Sequence, residues 1–203
     1  MWIEQPPHFV RLIWKGTWRR KLTNKNVVYL TFDDGPSPET TIKLLDILDN
    51  YQVKATFFCV GDNVRKYPNE FEEIRRRGHQ IGNHTMHHLK GFNTSCLDYI
   101  RDVTEADKYI HSHLMRPPYG RITLKQLNIL QQKYEIIMWD VITRDYNNEL
   151  SPNKVLSIVK KYTRNGSIIV FHDSIKSAKN MFGALPESIE FLQKQGYEFR
   201  LIE

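Results

Sequence analysis

Cysteine is nearly absent from this chain: Cys59 and Cys96 are the only two in 203 residues. Cys59 sits in an apolar run and Cys96 opens a helical pattern, so neither their number nor their spacing fits a disulfide framework or a zinc knuckle. Both read as reduced. No apolar stretch is long enough to span a bilayer. No secretory leader is evident, because Pro6, Pro7, Arg11 and Lys15 interrupt every candidate apolar core near the start. These absences point to the cytoplasm or the inner face of the membrane. Low-complexity tracts and internal repeats are also missing. A surplus of one charge is confined to the N-terminus: residues 1–26 hold six of the 29 basic residues and one of the 23 acidic ones, which leaves 23 against 22 elsewhere. A nearly neutral body lacks the sustained basic surface that nucleic-acid binding needs, so no nucleic-acid partner is expected.

What is present suits one globular domain over residues 27–203, preceded by a basic, aromatic strap over 1–26. With 40% hydrophobic residues the chain can bury a core without disulfides. In the strap Arg11, Lys15 and Arg19 recur every four residues among Phe9, Trp14 and Trp18. Two readings stand: its aromatics pack on the domain, or the segment makes peripheral contact with an anionic membrane surface. No protein partner is indicated.

From residue 27 onward, short β-branched or aromatic runs alternate with amphipathic segments. The strand candidates are 27–32, 55–60, 79–82, 113–116, 135–139, 167–171 and 197–201. Helical spacing lies between them, as in Ile42, Leu44, Leu45, Ile47, Leu48 and in Leu97, Ile100, Val103, Ile110. Ser37-Pro38-Glu39 predicts an N-cap, a first-turn proline and an early acid for the first helix. Repeated βα units imply an α/β fold with a parallel sheet, and about seven of them predict a closed or nearly closed (β/α) barrel. In such barrels chemistry sits at the C-terminal ends of the strands.

Those ends carry most of the unusual polar residues. After the first strand come Asp33 and Asp34, and after the third Asn83-His84-Thr85-Met86-His87-His88. Arg116-Pro117-Pro118-Tyr119-Gly120 follows the fourth, Trp139 to Tyr146 the fifth, and Phe171-His172-Asp173 the sixth. His84 and His88 are four apart, so one helical turn would put both imidazoles on one side for a shared metal. With one strand-end carboxylate they make a two-histidine, one-acid set that leaves positions open for water and substrate, the pattern of a catalytic zinc. Adjacent carboxylates then divide the work: Asp34 faces the cation, while Asp33 takes a proton from water whose pKa the cation lowers to about 7. His172, at the end of an apolar strand, needs a partner, for which Asp145 is the choice, and would return a proton to the leaving group. Arg116 would hold Asp33 through a charge-assisted pair. Trp139, Tyr119 and Tyr146 stand beside these groups as rings suited to sugar faces, or as ordinary packing.

Five short motifs occur in order: TFDDG at 31–35, HTMHH at 84–88, RPPYG at 116–120, WDVITRDY at 139–146 and VFHD at 170–173. From Val27 to the C-terminus the chain resembles the polysaccharide deacetylases of carbohydrate esterase family 4, which act on chitin, chitooligosaccharides and peptidoglycan. The resemblance implies a distorted (β/α) barrel of about seven parallel strands and a divalent metal, usually zinc, with cobalt or another divalent ion as alternatives. It implies that Asp33 is the base, that Asp34, His84 and His88 hold the metal, that His172 is the acid and that Arg116 steadies the base. The Tyr119 backbone N–H would help hold the oxyanion. The reaction implied is hydrolysis of an N-acetyl group on an acetylated amino sugar to acetate and a free amine.

Two departures stand out. Where the fourth motif commonly reads Asp-x-x-Asp-Trp, this chain has Ile142-Thr143-Arg144-Asp145-Tyr146, and Val170 takes a usual leucine position in the small pocket expected for the acetyl methyl. The machinery is thereby kept and the substrate groove altered. An O-acetyl esterase or a deacylase of another small glycan or amide is the alternative activity. A carbohydrate-binding pseudoenzyme is opposed by the occupation of every catalytic position.

Overall fold

A computed structural model of the chain describes residues 4–5, 15–17, 20 and 25–202. Most of the strap, including Phe9, Arg11, Trp14, Trp18 and Arg19, lies outside the described residues, and so does any membrane contact it would make. Among the described residues no helix is long and apolar enough to cross a membrane.

The run Val27 to Leu30 does what its composition suggests and forms the centre of the sheet, with β1 (Val27–Asp33) buried at every residue. The other strands are β2 (Thr56–Cys59), β3 (Gln80–Asn83), β4 (Leu114–Met115), β5 (Glu135–Ile136), β6 (Val141–Ile142), β7 (Ser167–His172) and β8 (Glu198–Phe199). The spatial order is β5-β4-β3-β2-β1-β7-β6, and β8 pairs with the first residues of β1. Every one of these pairings is parallel. The two ends of this order, β5 and β6, are neighbours in sequence but share no ladder, so the barrel is distorted and open along one seam. The sequence predicts a single strand over 135–139; instead the chain leaves the sheet after Ile136 and re-enters at Val141.

Among the described residues seven α-helices pack outside: α1 (Thr41–Asn50), α2 (Gly61–Lys66), α3 (Pro68–Arg76), α4 (Cys96–Ile110), α5 (Leu124–Leu130), α6 (Pro152–Tyr162) and α7 (Ala178–Lys194). Helix α4 shows why they form. Its N-cap Ser95 accepts from the Asp98 N–H, a contact worth about 1 kcal/mol, and Tyr99, Val103, Ala106 and Ile110 recur at helical spacing to form its buried stripe. Ser37 does not cap α1 as expected. The chain makes a further turn through Pro38 to Thr40, and the Ser37 hydroxyl bonds Glu39 at 2.7 Å while its carbonyl accepts from the Thr40 and Thr41 N–H groups.

Alternation along the strands sorts side chains between two cores. Leu30, Phe32, Phe57 and Phe171 face the helices with Leu44, Leu48 and Leu185, whereas Tyr29, Phe58, Leu114, Ile137 and Ile168 fill the barrel interior. Arg116 is also in that interior and is fully buried. Its guanidinium donates to the carbonyls of Ile137 and Met138, each at 3.2 Å, to Thr31 Oγ1 at 2.8 Å and to Asp33 Oδ1 at 2.6 Å, and it lies 4.1 Å over the Phe58 ring. The side chain therefore satisfies backbone carbonyls at the open seam. Arg116→Leu leaves Asp33 buried and unpaired, which is expected to cost roughly 3–5 kcal/mol. An unchanged urea midpoint in that variant would show that the pair contributes nothing to the fold.

Candidate active site

Parallel pairing sets the centre of the site. Asp33 on β1 is the register partner of His172 on β7, so the two side chains emerge next to each other at the C-terminal mouth of the barrel. Asp34 diverges because its backbone turns left-handed, with φ 78°. A non-glycine residue pays for that conformation, and the turn takes the second carboxylate out of the strand's alternation.

Thr85 and His88 are likewise left-handed, at φ 65° and 54°. His84 to His88 is therefore a loop and not the helical turn their spacing predicted, yet the two imidazoles still meet, with ring centroids 5.0 Å apart. His84 Nδ1 lies 2.7 Å from the Arg116 carbonyl. That carbonyl can only accept, so Nδ1 carries the hydrogen and Nε2 presents a lone pair. Burial pushes the His84 pKa down to about 4, against the opposing charge of Asp33, which keeps the ring neutral near pH 7.

Asp34 Oδ1 faces His88 Nε2 at 3.1 Å and His84 Nε2 at 3.6 Å. Neither contact is aligned as a hydrogen bond, so this buried oxygen has no donor. Burial opposes its ionisation, but the imidazoles of His88, His172 and His84 outweigh that and hold the carboxyl well below the usual carboxylate range. One ligand atom from each of Asp34, His84 and His88 lies within 4.8 Å of the others. Three ligand atoms converging on one point, one of them a buried oxygen with no hydrogen-bond partner, fit a divalent cation, and imidazole with carboxylate is a donor set that zinc accepts. His84→Ala is expected to strip most of the metal, read by elemental analysis after dialysis; full occupancy would mean that a different set of residues holds it.

On the other flank, Asp145 clamps His172 twice. It accepts from the His172 backbone N–H at 2.8 Å and stands 2.7 Å from Nδ1, which leaves Nε2 toward the opening. Burial alone would lower the His172 pKa; the Asp145 charge and hydrogen bond, with Asp34 and Asp33 nearby, overcome it and raise the value to about 9. Asp145 is itself fully buried.

These groups open into a cleft of about 760 Å³ lined by Asp33, Asp34, His84, His88 and His172, with Tyr119, Trp139, Ile142 and Tyr146 among its walls. The Tyr119 ring stands 4.7 Å from that of His88, and Tyr146 meets His172 edge-on at 4.8 Å. Trp139 packs across Gly120, whose φ of 64° and lack of a side chain allow the close approach. Among the described residues the Tyr119 backbone N–H has no acceptor. Val170 is fully buried, two residues before His172 on the same face of β7.

Other contributors were not singled out from sequence. Thr31 links Arg116 to the Ile169 carbonyl, and Asn63 donates to the Asp34 carbonyl at 2.8 Å. Asp173 accepts from the Thr40 and Thr41 hydroxyls at 2.6 Å each, and its N–H donates to the Asp33 carbonyl at 2.7 Å, tying the loop after β1 to β7. Burial raises the Asp173 pKa to about 6. The only sequence signal for Asp173 was its place beside His172.

A family model described as "Polysaccharide deacetylase" matches residues 20–135. A peptidoglycan-N-acetylglucosamine deacetylase of Bacillus cereus is 32% identical over 184 residues, which cover 87% of this chain and 86% of that protein. The peptidoglycan-N-acetylmuramic acid deacetylase PdaC of Bacillus subtilis is 31% identical over 181 residues, covering 86% of this chain and 38% of its own longer one. Among solved structures, the Bc1960 peptidoglycan N-acetylglucosamine deacetylase in complex with 4-naphthalen-1-yl-N-oxidanyl-benzamide aligns with a TM-score of 0.89 at 31% identity, covering 97% of this chain and 95% of that one.

Proposed function

Because this chain belongs to the polysaccharide deacetylase family, we propose that it is a zinc-dependent hydrolase that removes N-acetyl groups from a glycan containing N-acetylglucosamine. The observation that carries this reading is the pairing of two proton-handling groups across one strand ladder. Asp33 is held by Arg116 and His172 by Asp145, and both stand beside the convergent donors of Asp34, His84 and His88.

The divalent ion, when bound, supplies a Lewis acid that acidifies water and polarises the acyl oxygen. Arg116 occupies Oδ1 of Asp33, which leaves Oδ2 to take the proton from the attacking water. The Tyr119 N–H, which has no acceptor among the described residues, would donate to the oxyanion that forms on the acyl carbon. His172 gives its Nε2 proton to the amine nitrogen as the carbon–nitrogen bond breaks, and acetate and a free amino sugar leave. Tyr119, Trp139 and Tyr146 offer ring faces to the sugar, while Ile142 puts an apolar side chain in the cleft wall.

Acetate release by zinc-loaded protein, with Asp33→Asn as control, tests the reading across N-acetylglucosamine oligomers, peptidoglycan fragments and an O-acetylated ester. Release from the glycans that is lost in the control supports it. Release from the ester alone would replace it with an esterase, and no release from any of them would reject the substrate class.

A further inference from the structure

Only three residues separate His84 from His88, and the loop takes a left-handed step at Thr85 and again at His88. Such a course does not hold itself. Asn83 contributes at the start, accepting from the Thr85 N–H at 2.8 Å through Oδ1 and donating to the Val103 carbonyl of α4 through Nδ2. The middle of the loop is gripped by one side chain from the same helix. Asp102, 6% exposed, accepts through Oδ2 from two consecutive backbone donors, the Met86 N–H at 2.9 Å and the His87 N–H at 3.1 Å. Its Oδ1 lies 2.6 Å from His87 Nδ1.

The geometry repeats that of Asp145 and His172. In both places a buried carboxylate takes a histidine's own N–H with one oxygen and its Nδ1 with the other. At His172 this orients a ring in the cleft. At His87 the ring is half exposed, and what the clamp fixes is the backbone immediately before His88.

We propose that Asp102 is a positioning residue for the metal site, anchoring the 84–88 loop to α4 in the course that turns His88 toward His84 and Asp34. The inference rests on the assignment of those three residues as metal ligands. Groups that orient ligands from outside the coordination shell commonly change affinity by about 10- to 100-fold when removed. Asp102 acts here through the backbone as well as through a side chain.

The test is the zinc dissociation constant of the full chain, measured by competition with a chromophoric chelator, alongside the melting temperature of the metal-free protein. Asp102→Ala is expected to weaken zinc by about 10- to 100-fold. Asp102→Asn, nearly isosteric and still able to accept from the two backbone donors, is expected to weaken it less. A lowered melting temperature with unchanged zinc affinity in Asp102→Ala would overturn the proposal and leave Asp102 a structural residue. If Asp102→Ala does not fold, Asp102→Ser decides: its side chain is too short to hold the two backbone donors, so a weakened zinc complex supports the role and an unchanged one rejects it. Failure of the unaltered chain to bind zinc would instead overturn the ligand assignment itself.

Discussion

Asp33→Asn should lower kcat by roughly 10²- to 10⁴-fold, the usual worth of a positioned general base, while metal content stays near stoichiometric. Asparagine keeps an oxygen that can accept from Arg116 Nη1, now at 2.6 Å, so the geometry of the interior has a route to survive. What disappears is the basic oxygen facing the cleft. Metal is retained because the three convergent donors come from Asp34, His84 and His88. The substitution also leaves Arg116 buried without a countercharge, so the variant will melt earlier. Turnover must therefore be compared at a temperature where both proteins are folded. Near-normal turnover there would remove Asp33 from the mechanism, and loss of metal would mean that it serves the ligand set after all.

His172→Ala is expected to produce a second loss of comparable size, about 10²- to 10⁴-fold, with a signature in pH. The acid works only while protonated, so in the unaltered enzyme kcat falls as pH rises through the His172 pKa. Asp145 and its neighbours place that value at about 9 without metal. A bound cation cancels part of the Asp34 charge, so the limb in the loaded enzyme lies below 9. In His172→Ala this alkaline limb should vanish, and its persistence would assign it to another group. The same pair affects stability. The folded pKa is raised above the ordinary 6.5, so the ion pair's stabilisation is complete below pH 6.5 and is lost as pH climbs through about 9. Metal-free enzyme should accordingly lose melting temperature across that window, and His172→Ala should not show this loss.

How far the sequence discloses the molecule depends on the range of the forces involved. The first strand was legible because Val27 to Leu30 are apolar without interruption and buried on both faces. Strand β6 was not, because Val141 and Ile142 owe their place to pairing with Ile169 and Val170, far away in the chain. The site divides in the same way. Asp34, His84 and His88 could be grouped from residue type and strand-end position, but the helical turn expected between the histidines is a loop with two left-handed residues. Spacing grouped three residues that the fold does bring together, but through a different backbone. Arg116 could be matched to Asp33 by charge, whereas its service to the carbonyls of Ile137 and Met138 requires knowing where the barrel fails to close. Asp102 carries no local signal, since its donors lie 15 and 16 residues earlier on another element.

The open seam between β5 and β6 constrains how the chain can be redesigned. The guanidinium that ties off the buried carbonyls of Ile137 and Met138 there is the one that holds Asp33, so stability and turnover are expected to change together at position 116. For engineering, position 116 therefore offers no way to tune the stability of the barrel without disturbing the carboxylate beside the cleft.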